Sequence, residues 1–139
     1  MEVIFDSAEV TFHIHATEDK DKIYRSIQSV LGFDTKFIQE SKAYGHFGNT
    51  ILVCRAILDK ELSSSLFNRI ITSATSEDLN NLREEIRDRV EDNKFLHVRL
   101  DKQMLVSGFV KLGDEDSLKV RFRLTKYGVQ NIQNIVIRN

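Results

Sequence analysis

The chain has 139 residues, of which 41% are apolar and 29% charged, with a formal net charge of -1. That length and apolar content suit one hydrophobic core and exclude a wholly disordered chain. Near-neutrality excludes a long-range basic field, no apolar run nears the roughly 20 residues of a membrane helix, and no basic-then-apolar leader opens the sequence.

Residues 3–16 alternate, with Phe12 and Ile14 on one side and Thr11, His13 and His15 on the other, which predicts a strand with an irregularity near Asp6 and Ser7. A helix follows over 17–31. Thr17 is its expected N-cap, acids at 18, 19 and 21 suit its start, Ile23, Ile27, Val30 and Leu31 form its apolar stripe, and Gly32 ends it. Residues 33–45 read as a short strand or two, 46–50 as a turn, and the apolar run 51–59 as a strand covered on at least one side. Two helices are predicted over 61–73 and 76–92, the second opened by Ser76 and striped by Leu79, Leu82, Ile86 and Val90. A strand over 94–100 runs into a short helix or turn at 101–108. Two strand pieces joined by the acidic turn GDEDS then fill 108–124. At the end, Val129, Ile132 and Val136 have helical spacing, although β-branched content keeps a strand in competition. Proline is absent, so glycine and Asx residues must form the turns.

This order predicts one domain over 1–139, an α+β two-layer sandwich of a mixed or antiparallel sheet with helices on one face. Ile14, Ile27, Val53, Leu82, Ile86, Val98, Phe122 and Leu124 are the expected core.

The charges are polarised along the chain. Residues 1–92 carry 17 acidic and 11 basic side chains, whereas 93–126 carry 8 basic and 4 acidic. Much of the basic excess alternates with apolar residues, in KFLHVRL (94–100) and LKVRFRL (118–124). Period two puts His97 and Arg99, and likewise Lys119, Arg121 and Arg123, on faces opposite their apolar neighbours. Arg55 similarly opposes Cys54. With the apolar faces against helices, Arg55, His97, Arg99, Lys119, Arg121 and Arg123, joined by His13 or His15, line the open side of one sheet. Such a side meets phosphate or water.

Other chemistries find little support. His13 and His15 share a strand face and could bind a metal only if His46 or His97 joined them. Cys54 is alone and apolar-flanked, which suits a core position and a reducing, cytoplasmic setting without internal disulfides. The serines at 63–65 have no adjacent base, GDED at 113–116 lacks calcium-loop spacing, and GHFGN is far from a phosphate-binding glycine loop. No enzyme site, cofactor or small-molecule substrate is expected.

Three strings, HATED at 15–19, YGHFGNT at 44–50 and RLDKQ at 99–103, together resemble the archaeal family of predicted exosome-subunit-like RNA-binding proteins. The resemblance covers nearly the whole chain. It implies a fold similar to ribosomal protein L5, association with RNA, and neither catalysis nor a cofactor. It points to His15, Gly45, Gly48, Asn49, Arg99, Asp101, Lys102 and Gln103. One departure is Thr50, which stands where the family commonly has proline after the GN pair. Gly45 and Gly48 would permit a tight turn at positive φ, and the Asn49 side chain could bond nearby backbone. Lys102 and Gln103 could offer an ammonium and an amide to phosphates or base edges; alternatively, Asp101 caps the following helix and both are merely exposed. The expected function is non-catalytic RNA binding through the basic sheet face, in RNA processing or ribosome-related assemblies. The rival is a protein-interaction or scaffold module that docks an acidic partner or homodimerises.

Overall fold

The computed structural model describes residues 3–136, with the side chain of His46 excepted. Six strands form one antiparallel sheet in the order β2-β3-β1-β6-β5-β4. These are β1 (Phe5–His15), β2 (Ile38–Tyr44), β3 (Thr50–Leu58), β4 (Val90–Glu91), β5 (Phe95–Asp101) and β6 (Ser117–Leu124). The helices are α1 (Lys20–Ser26), which widens into a π turn over Ile27–Leu31, then α2 (Lys60–Ser73), α3 (Ser76–Glu85), α4 (Lys102–Val106) and α5 (Lys126–Gln130). They pack on one face, giving the expected α+β two-layer arrangement.

Alternation along the strands decides which face is covered. Phe12 and Ile14 of β1, Cys54 and Leu58 of β3, Val98 of β5 and Phe122 of β6 all turn toward the helices and are buried. Phe5, Phe67 and Phe122 form the aromatic centre of that layer, with ring centroids 4.8, 4.8 and 5.4 Å apart. Val53 does not belong to this core. It pairs with His13 and Ser41, so the same alternation that buries Cys54 sends Val53 to the opposite, open face. The irregularity near Asp6 is a register shift between Phe5 and Ser7.

Several boundaries differ from the sequence expectation, each for a local reason. Asp19, not Thr17, caps α1, its carboxylate accepting from the backbone N–H of Asp21 and Lys22. α3 begins at Ser76 as expected, with Thr75 as its cap, but ends at Glu85 rather than running to 92, since a 3-10 turn (Ile86–Arg89) and β4 follow. The piece around 110–112 makes only an isolated bridge from Leu112 to Leu100, rather than a second strand beside β6. There the buried Asp78 carboxylate takes the Leu112 N–H at 3.0 Å, and Lys111 O and Gly113 N bond the end of β5. The final segment is helical through α5 and a 3-10 turn at Ile132–Asn134; residues 137–139 of the expected last helix lie outside the described residues.

Gly128 closes the C-terminal helix onto the first strand. An added Cβ there would lie 2.4 Å from the Ile4 carbonyl oxygen and 3.2 Å from Leu124 Cδ2. Gly128→Ala should therefore cost about 1–3 kcal/mol through overpacking against backbone. An unchanged urea midpoint would show that α5 can shift away from β1 freely.

Candidate nucleic-acid interface

The strand register assembles the basic residues on the face that the helices leave open. Arg55 (β3), Thr11 (β1), Lys119 (β6) and Arg99 (β5) form one row across four strands. The next row runs Ile57, Glu9, Arg121 and His97, and beyond it lie Ser7, Arg123 and Phe95. His13 and His15 continue the same face toward the other end of β1 and are both exposed. Arg55, Arg99, Arg121 and Arg123 thus point to one side, as the period-two spacing implies.

One carboxylate divides this patch. Glu9 sits on the central strand and accepts from Arg55 at 2.7 Å (Nε) and 2.5 Å (Nη2), while Arg121 Nη2 lies 3.8 Å from its other oxygen. The Arg121 guanidinium also covers the Phe95 ring, 4.4 Å from its centroid. Among the described residues no ion pair reaches Arg99, Lys119 or Arg123. Arg99 shares a shallow hollow with Glu85, Asp88 and Asp114, none within ion-pair distance of it. His97 Nε2 lies 3.8 Å from Glu91 and has no hydrogen-bond partner among the described residues. Glu9 neutralises part of the patch, while Arg99, Lys119 and Arg123 on β5 and β6 keep no ion-pair partner among the described residues.

The motif residues have a different job. Lys102 is fully buried, contrary to both alternatives drawn from the sequence. Its ammonium donates to the His13 carbonyl at 2.7 Å and to Glu18 at 2.8 Å, and lies 2.9 Å from Asp116. Gln103 donates to the other Glu18 oxygen at 3.1 Å. Asp101 caps α4 through the Met104 N–H, as one alternative expects. These residues tie the HATED turn, the RLDKQ helix start and the GDED turn together. Lys102 is therefore withdrawn from the phosphate-contacting set. A buried ammonium with carboxylate partners would have to abandon them to reach a ligand.

At the β2–β3 turn, Gly48 has φ +74, but Gly45 is extended at φ -80 and needs no glycine freedom. Its N–H is met by the Asn49 backbone carbonyl at 2.8 Å, not by the Asn49 side chain. Phe47 carries the other left-handed conformation there, at φ 65.

His15, Glu18 and Asp116 bring potential ligand atoms within 4.8 Å of one another, but the Lys102 ammonium already supplies the cation between the carboxylates. His97 is two strands from β1 and level with Glu9, so it does not join the His13–His15 pair. Ser63 is buried and donates back to the Asp59 carbonyl at 2.6 Å, a helix contact rather than an activated nucleophile. Cys54 is buried beside Tyr24, and burial pushes its thiol up, away from reactivity. No described helix is long and apolar enough to cross a membrane.

Sequence reasoning misses Glu9 as the partner of two arginines and Lys102 as a buried tie. The first is visible as an acid in the polar register of β1; the second has partners 84 and 14 residues away, and spacing gives no sign of them.

A family model described as RNA binding matches residues 7–124. An uncharacterised protein of Methanocaldococcus jannaschii is 32% identical over 124 residues, spanning 83% of this chain and 80% of that protein. An RNA-binding protein of Pyrococcus abyssi is 29% identical over 121 residues, spanning 82% and 78%. The solved structure of a DUF54 protein from Methanothermobacter thermautotrophicus has the same fold, with a TM-score of 0.78 at 23% identity over 96% of this chain and 99% of that one. On the extent of the family match and the identity to the Methanocaldococcus protein, the chain belongs to this archaeal RNA-binding family.

Proposed function

We propose that the protein binds RNA without catalysis, and that the open face of the sheet is where it does so. The observation that carries this is the gathering of Arg99, Lys119, Arg121 and Arg123 on two adjacent strands, on the face that the described helices leave open. Family membership and the RNA-binding description of the Pyrococcus relative support the choice of RNA over other polyanions. Cationic side chains on a rigid sheet hold the phosphate path, while loops at the sheet edge supply discrimination. An L5-like fold and a place in exosome-like or ribosome-related assemblies, both implied by the motif resemblance, are part of this proposal.

The test is the double variant Arg121→Ala, Arg123→Ala. It should bind unrelated RNA sequences more weakly than the parent and flatten the salt dependence by up to about two released counterions. Affinity and slope equal to the parent's would remove this face as the binding surface. The protein-docking rival has one observation in its favour, the 56% exposure of Ile57 beside Glu9 on the same face. It predicts no RNA affinity at physiological salt and loss of a partner or dimer on the same substitution.

A further inference from the structure

We infer that the open face takes single-stranded RNA, with Phe95 as the platform on which one unpaired base stacks. The inference rests on the RNA-binding reading above and goes beyond it by naming the form of RNA and the residue that selects it.

Phe95 is a half-buried aromatic ring on the otherwise polar side of β5. Its cross-strand partner on β6 is Arg123, whose guanidinium carbon lies 5.9 Å from the ring centroid, and Arg121 leans across from the next position to 4.4 Å. Glu91 is its neighbour on the outer side. The half-buried ring and the two guanidinium groups beside it form one patch, cationic on its β6 side. A base stacks here by taking the place of Arg121 on the ring, which frees that guanidinium for the phosphates on the β6 side. A phosphate path alone would serve single and double strands equally. Aromatic rings and stacked guanidinium planes gain contact only from bases splayed out of a helix, because a duplex shows its backbone to a flat sheet.

The chain has no tryptophan, so Phe95→Trp places a single reporter at the proposed platform. Three probes distinguish the contributions: a single-stranded oligoadenylate, an RNA duplex of equal length, and inorganic polyphosphate. The single strand should quench the indole fluorescence of this variant saturably, and the other two should leave it nearly unchanged even where they compete for the cations. Alongside, Phe95→Leu keeps an apolar side chain under Arg121 but removes the ring. It should lower single-strand affinity roughly tenfold at an unchanged salt slope, with duplex affinity unaltered.

Single-strand binding without quenching would overturn the platform. So would a Phe95→Leu loss accompanied by a flatter salt slope, which would show that the ring merely holds Arg121 in place. Both results would leave RNA binding by the face intact. Failure of the unsubstituted protein to bind any of the three probes would overturn the inference together with the RNA-binding reading.

Discussion

Phe122→Ala should destabilise the protein by about 3–5 kcal/mol, the range for removing a large aromatic side chain from a packed core. Phe122 has no exposed surface and lies between Ala8 of β1 and Leu96 of β5. Its ring meets Phe5 at 4.8 Å and Phe67 edge-on at 5.4 Å, so it joins the sheet to α2. Two neighbours fixed on a strand and a long helix cannot both move in to fill the space. Urea unfolding followed by circular dichroism measures the loss, and a value below about 1 kcal/mol would mean that the layer collapses around the cavity.

Lys102→Met should cost about 3 kcal/mol, the low end for breaking a buried ion pair, because Asp116 is 44% exposed and its charge can rehydrate. This loss also depends on pH. Burial alone would raise the Glu18 carboxyl, but hydrogen bonds from the Lys102 ammonium and the His15 N–H outweigh it and hold it below its ordinary value. Asp116 is lowered in the same way, with burial opposed by Lys102 and Gln103. Groups with a depressed folded-state pKa stabilise fully above the ordinary carboxylate range, and that contribution disappears as pH falls through their lowered values. The gap between parent and variant should thus be widest at neutral pH and narrow below about pH 4. Urea midpoints at pH 7 and pH 3 measure it; a constant gap would assign the effect to the aliphatic stem of Lys102 instead of its charge.

How far the sequence foretells the structure depends on whether the information is local. Alternation is local, so the shared face of Arg55, Arg99, Arg121 and Arg123 follows from counting by two, and so does the burial of Cys54 and Phe122. Val53 reads as core from the sequence because an apolar residue in an apolar strand hides the alternation that Arg55 two positions later reveals. Strand order is not local. Nothing in the spacing tells that β6 inserts between β1 and β5, yet that placement sets Arg121 beside Glu9 and Phe95. Lys102 shows the same limit, since its charge is satisfied by turns that meet only in the folded chain. The two-residue β4 is too short to leave a periodic signal. HATED and RLDKQ, distant in sequence, meet in the fold, where Glu18 accepts from both Lys102 and Gln103.

The most direct test locates the RNA on the protein. Arginine side-chain Nε–H signals and backbone amides of isotope-labelled protein can be followed during titration with a single-stranded oligonucleotide. The largest changes should fall on Arg55, Arg99, Arg121 and Arg123 and on the amides of β1, β3, β5 and β6 around them, while Arg69 on α2 and Arg83 on α3 stay in place. Changes centred on Arg69 and Arg83, with the four sheet arginines unmoved, would put the RNA on the helical side and contradict the open face as its binding surface.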